Sequence, residues 1–340
     1  MPNDDLDYAG HTRPRAGRTL NPEKQRWHMG QRVGRILFPL IGVAVFAAAG
    51  LLVPHFLTAA NLLNVVRQSS IIGICAVGMT MVIVILGIDL SIAGLTALCP
   101  MVSGLLMLQG VPILISIIAG IIAGISMGLF NGLMAAKLDV PPFITTLVVG
   151  QVSQGLALIM NNGRSIGGFP AAYVYIGNGS FLGVPVSDLL MIVMTGIGIF
   201  ITQFTPTGNR IYALGGNETV VRQEGIDVDG LKLFVYAFSG FCASIAGILL
   251  SAQLDTVHPI QGEPYLLDAI AACVIGGVSL AGGEGRVSLA VAGALIIGSV
   301  RNVLDLLGVH PFFQNVLVGT IIILVVFTSN LSRDQRAVAV

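Results

Sequence analysis

Ten apolar runs, separated by short polar or Gly/Pro-containing stretches, take up most of the chain. They are Ile36–Val53, Ile71–Leu86, Leu90–Leu108, Ile113–Ala136, Phe143–Met160, Leu189–Phe204, Leu233–Leu254, Leu267–Leu280, Leu289–Leu306 and Phe313–Phe327. Crossing the hydrocarbon core takes roughly 20 apolar residues per helix. Composition bears on the same point: 10% of residues are charged and 54% hydrophobic, against about 25% charged in a soluble domain. So few charges cannot clothe a soluble protein of 340 residues. The expected fold class is an all-α integral membrane protein of about ten transmembrane helices.

The ends differ from the middle. Residues 1–34 are polar and basic, with Arg13, Arg15, Arg18, Lys24, Arg26 and Arg32, and Arg35 at the junction. A secretory signal would have a short basic region, a core of about 7–15 residues and a small-residue cleavage site. The run from Ile36 is too long and follows too long a tail. Residues 1–34 are expected as a disordered cytoplasmic tail, 35–331 as the transmembrane domain and 332–340 as a short cytoplasmic tail. With both ends inside, the inner segments collect those seven charges plus Lys137, Arg210, Arg222, Lys232, Arg286, Arg333 and Arg336, fourteen of the 17 Lys and Arg. Arg67, Arg164 and Arg301 are left outside. The positive-inside rule favours that orientation and an even helix count.

Val140–Gly150 resembles Val309–Gly319, with five of eleven positions identical. In this topology the two start helices from opposite sides, the relation expected of inverted repeats, which place a substrate site at their interface. The alternative is that helix starts favour proline followed by apolar residues. Gly120, Gly124, Gly128 and Gly132 recur every fourth residue, a stripe that lets a second helix approach closely. The stretches Gly163–Gly183 and Gly276–Gly285 read as loop and broken helix. Cys75, Cys99, Cys242 and Cys273 lie inside apolar runs without CxxC spacing, as small buried side chains do.

Catalytic and cofactor signatures are missing from the sequence. Lys24, Lys137 and Lys232 lack the preceding glycine of a phosphate loop, there is no H-E-x-x-H, and Ala281–Arg286 follows no strand of a βαβ unit. No enzyme, metal or cofactor is expected in this chain. The net charge of +0 points to no nucleic acid. Ionisable groups within apolar runs are rare and costly, about 2.5–3.5 kcal/mol each at mid-bilayer, so a pathway or a paired partner is the first reading. Asp89, before Ser91, and Asp268 either line a pathway or cap helices. Arg301 and Asp305, one turn apart, are expected to pair with each other. The candidate translocation pathway comprises Asp89, Ser91, Asn131, Gln151, Gln154 and Asp268. An ion-coupled secondary transporter would need such carboxylates too and stands as the alternative.

Thr205–Leu231 is a long polar segment expected on the inner side. Asn217 can cap a short helix with Glu218 in its first turn, and Gly225 can end it. Val220 and Val221 offer apolar contacts, and Arg222 and Glu224 offer charge. The length and regularity suggest that something docks there.

Five stretches in order carry a family resemblance: Ala76–Ile83, Gly87–Ser91, Gly208–Glu218, Asp268–Ala272 and Gly276–Arg286. From about Leu57 to Leu331 the chain resembles the ribose-type monosaccharide permeases of ABC importers. The resemblance implies a second permease copy, identical or related, two ATPase subunits that carry ATP and Mg, and a periplasmic sugar-binding protein. It also implies a multi-pass protein of the inner membrane, surrounded by lipid. Gly215, Gly216, Asn217, Glu218, Val220, Val221, Arg222 and Glu224 would form the coupling helix that enters a cleft of the ATPase. The chain departs from the family pattern at Leu266, where a glutamate is common after Tyr265, and at Gln154, where many members carry arginine. Scarce intramembrane charge agrees with a neutral solute.

Overall fold

The computed structural model describes residues 44, 46–320 and 323. The two tails, the start of the first apolar run and the end of the last lie outside the described residues. The long helices are α1 (Ala59–Val84), α2 (Ile92–Leu108), α3 (Ile113–Lys137), α4 (Pro142–Met160), α6 (Val186–Phe204), α9 (Val228–Leu254) and α11 (Val287–Leu306). Shorter ones are α5 (Ala171–Asn178), α7 (Pro206–Gly216), α8 (Glu218–Gln223) and α10 (Glu263–Ile275). Residues 46–52 and 311–320 are helical as well. Among the described residues six helices are long and apolar enough to cross a membrane, and α2, with 17 residues, falls just short.

Proline and small polar residues set many of the helix starts. Thr58 Oγ1 accepts from Asn61 N at the start of α1, Thr205 Oγ1 from Gly208 N at the start of α7, and Asp227 Oδ1 from Gly230 N at the start of α9. Pro142 and Pro206 occupy first-turn positions, where no backbone donor is lost.

The core forms around α1. Every residue from Ser69 to Val84 is buried, as befits a helix apolar on all sides. Helices α6, α9, α10 and α11 pack against it. On the periphery α3, α4 and α6 turn apolar side chains outward, with Leu114, Val148 and Ile192 more than half exposed on the single chain. Such faces suit lipid or another membrane helix.

The glycine stripe does what its spacing implied. Successive glycines of α3 meet backbone of neighbouring helices: Gly124 faces the Gly240 carbonyl, Gly128 that of Tyr236, and Gly132 the Leu233 Cα. A Cβ on Gly124 would lie 2.7 Å from the Gly240 oxygen. The pairing is reciprocal, because Gly240 of α9 lies against Gly124 and Gly128. The four cysteines are free and buried.

The chain reverses twice on the end of α1. After Val84 it turns through Leu86, at φ 66°, while Gly87 N donates to Val82 O at 2.9 Å. The turn leads into α2, which starts inside the molecule. Later, positive-φ Gly277, Gly282, Gly283 and Gly285 shape the link from α10 to α11, and Gly283 N donates to Val84 O at 2.8 Å. The expected run Leu267–Leu280 is corrected here. Its helix spans Glu263–Ile275 and stops at Gly276, whose bare Cα lies against the Leu289 backbone of α11. Thirteen residues make about 20 Å of helix, too short for a core of about 30 Å.

Thr205–Leu231 likewise is no simple loop, since α7 and α8 occupy most of it. At the other end of the helices, β1 (Ile166–Gly167) pairs antiparallel with β4 (Thr256–Val257). There β2 (Ser180–Phe181) and β3 (Val184–Pro185) form a small hairpin.

Candidate functional site

Asp89 sits in the reversal between α1 and α2 and is fully buried. Its Oδ1 accepts from the Ser91 backbone at 2.9 Å and from the Ser91 hydroxyl, and its Oδ2 accepts from Ser239 Oγ of α9 at 2.6 Å. Asn131 of α3 donates to Ser91 Oγ at 2.9 Å. Three pathway candidates, Asp89, Ser91 and Asn131, thus form one hydrogen-bonded chain near the middle of α9. Asp89 both caps the turn before α2 and reaches across to another helix. Around it Asn131 Oδ1 and Tyr236 Oη are buried with hydrogen-bonding capacity unused by protein. A dry orphan of this kind costs about 1–3 kcal/mol.

Asp268 is not part of that group. It lies on α10, 1% exposed, and Arg301 of α11 grips it with Nε and Nη2, each at 2.7 Å. The expected Arg301–Asp305 pair is therefore corrected: Asp305 accepts instead from Gln314 Nε2 at 2.8 Å. The planar guanidinium matches a carboxylate with two parallel bonds, and α10 offers one more deeply buried than Asp305. Gln154 donates to Glu263 Oε1 at 2.9 Å, and Gln151 is exposed about one turn away on α4.

The short helix α8 forms as its sequence suggested. Asn217 Oδ1 accepts from Val220 N at 3.1 Å, and Gly225, at φ 76°, follows its last turn. Its orientation corrects two expectations. Val221 is 5% exposed and belongs to the chain's own core, whereas Val220 is 49% exposed. Gly215 and Gly216 end α7 instead of starting α8, and Gly215 is buried against the Val84 carbonyl and the Gly283 amide. The outer surface of α8 therefore presents Thr219, Val220, Gln223 and Glu224.

An ionic network holds α8 in place. Lys232 Nζ lies 2.8 Å from Glu218 Oε1, Arg222 Nη2 3.2 Å from the same oxygen and 3.0 Å from Asp229 Oδ1, and Lys137 Nζ 3.1 Å from Asp229 Oδ2. Burial opposes charge on Glu218, but the bonds from Lys232 and Arg222 outweigh it and hold its pKa below the usual range. Each exposed pair is worth about 1 kcal/mol or less; together they fix the orientation of a helix of 6 residues. The pairing of Lys137, Asp229 and Lys232 in this network escaped the sequence reading, because their partners lie on other helices.

Comparison with known proteins matches these features to a family. A family model described as branched-chain amino acid transport system, permease component, covers residues 61–326. The ribose import permease protein of Bacillus subtilis is 41% identical over 310 residues, covering 90% of this chain and 96% of the relative. The D-allose transport system permease protein of Escherichia coli is 36% identical over 294 residues, covering 86% and 89%. The L-arabinose transport system permease protein of the same organism is 34% identical over 300 residues, covering 88% and 92%. With a match that spans every long helix but the first residues of α1, this chain belongs to that family of transport-system permease components.

Proposed function

We propose that the chain is the membrane-spanning permease of an ATP-binding-cassette importer for a monosaccharide of the ribose, allose or arabinose kind. The observation that carries this reading is near full-length identity to three sugar permeases. A chain of this kind needs no catalytic machinery of its own. Hydrolysis of ATP, with its Mg, belongs to a partner ATPase, and a periplasmic binding protein supplies the solute. The working unit pairs two permeases in the inner membrane. About ten spans with both ends cytoplasmic complete the proposed topology. The Val140–Gly150 and Val309–Gly319 segments, each opening a helix beside a proline, would then be counterparts in inverted halves.

Two sites divide the work. Asn217, Glu218, Val220, Arg222 and Glu224 form the coupling element, with Val220 as the apolar contact for the ATPase cleft and Gly215, Gly216 and Val221 as its support from within. The pathway runs past Asp89, Ser91 and Asn131 and past Gln151 and Gln154, while Asp268 is clamped beside it. The unused hydrogen-bonding capacity of Asn131 and Tyr236 next to Asp89 supports a wet route there. A proton- or sodium-driven transporter gains no support from the relatives.

Val220→Asp tests the coupling assignment. Losing a buried interface anchor costs about 2 kcal/mol or more, so the mutant permease should insert normally yet fail to co-purify with the ATPase and fail in uptake. Normal co-purification together with normal uptake would exclude α8 as the coupling element.

A further inference from the structure

Glu263 carries a carboxylate on the surface of the single chain at a depth where a bilayer holds hydrocarbon. Two routes through the structure give that depth. Its partner Gln154 lies six residues before the end of α4 at Met160, about 9 Å along the helix. The neighbouring Gly262 packs against Ala93 and Thr96 of α2, and Gln261 Nε2 donates to Thr96 O at 3.0 Å. Thr96 in turn abuts Gly247 of α9, seven residues short of Leu254, again about 10 Å. The two paths agree, and both lie well inside the helix ends.

A carboxylate facing lipid there would be costly, on the order of 2.5–3.5 kcal/mol on insertion scales. Among the described residues no cation pairs with Glu263. Its place in the first turn of α10 adds a favourable interaction with the helix dipole, which is smaller than that cost. What the position requires is a polar neighbour on its open side, and the surroundings leave room for water or a solute there. A Cβ on Gly155, beside Gln154, would meet nothing within 4 Å, and Gln151 adds a second amide about one turn away. Gln154 satisfies one carboxylate oxygen of Glu263 at 2.9 Å, which leaves acceptor capacity on the other.

We propose that Glu263 and Gln154 are the solute-contacting pair of the pathway and select for neutral, hydroxyl-rich molecules. A fixed carboxylate beside an amide offers acceptors to sugar hydroxyls, and would repel an anion. The proposal rests on the sugar-importer reading and adds to it a specificity-determining residue, Glu263.

The test uses the complete importer in proteoliposomes, with its ATPase and its own binding protein, and radiolabelled D-ribose, D-allose and L-arabinose as probes. Two quantities are read: sugar accumulated, and ATP hydrolysis stimulated by loaded binding protein. Glu263→Gln is expected to cut accumulation about tenfold, the scale of one hydrogen bond to a charged group, with stimulated hydrolysis within about twofold of wild type. Gln154→Ala should give a smaller loss, and Glu263→Asp should retain more uptake than Glu263→Gln. Accumulation unchanged in Glu263→Gln overturns the proposal. So does a parallel loss of accumulation and hydrolysis, which would mark a structural role. If the wild-type complex hydrolyses ATP but accumulates none of the three sugars, the sugar reading itself falls, and the pair's assignment with it.

Discussion

Asp89 receives a backbone N–H and two hydroxyls on its two oxygens, an arrangement that suits a group with acceptors only. In Asp89→Asn one oxygen becomes an NH2 that cannot accept, so a donor of Ser91 or Ser239 is left unpaired at about 1–3 kcal/mol. The packing shape is unchanged, so the complex should assemble while sugar uptake slows. Uptake at the wild-type rate would mean that Asp89 serves only to cap the turn before α2. At this scale the sequence was partly legible. Carboxylates in apolar runs are rare enough to be noticed, and Asp89 and Asp268 were. Ser239, which reaches Asp89 from another helix, was not, because a hydroxyl inside an apolar run has no periodic signature. Val220 and Val221 posed the same difficulty. Adjacent helical residues point about 100° apart, and which one faces inward depends on where the rest of the protein lies.

Between elements, the grip of Arg301 on Asp268 joins α11 to α10, a helix too short to span by itself. Breaking a buried pair by removing one partner costs about 3–5 kcal/mol. Arg301 keeps 18% of its side chain exposed, so Arg301→Ala should cost roughly 2–3 kcal/mol. Thermal unfolding of the detergent-solubilised protein should show the loss as a lowered midpoint. Arg301→Lys should recover less than half of it, since an ammonium cannot bridge both oxygens as a fork does. A wild-type midpoint for Arg301→Ala would mean that the clamp adds nothing. The positions of most long helices followed from run length within a few residues, but α1 starts at Ala59, twelve residues before the run expected from Ile71. The breaks did not follow, because Gly276 ends α10 by close approach to α11, a contact between distant parts of the chain. The Arg301–Asp305 expectation failed for the same reason: spacing along one helix says nothing about a better acceptor on the next.

For the whole molecule, function depends on which side of the membrane each end of the bundle faces. The proposed topology, read from the charge asymmetry, has α8 inside and the β2–β3 hairpin outside. Leu182, 88% exposed at the hairpin tip, and Thr219, exposed on α8, are suitable reporters because the four native cysteines are buried. Leu182→Cys should react with an impermeant thiol reagent in intact spheroplasts, and Thr219→Cys only once the membrane is opened. The reverse pattern would invert the topology and remove α8 from reach of a cytoplasmic ATPase.

Val84, the last residue of α1, is the point on which two distant segments bear. Gly215 of α7 lies directly on its carbonyl, and Gly283 N donates to the same oxygen. Both contacts are backbone on backbone, with no rotamer able to give way. Such a joint acts like a metal bearing without a rubber bush. A displacement of α7, which leads straight into α8, meets no soft material before it reaches α1, buried throughout from Ser69 to Val84. Adding a single methyl at Gly215 would shim that bearing apart, so the absence of a side chain there is a mechanical specification of the joint.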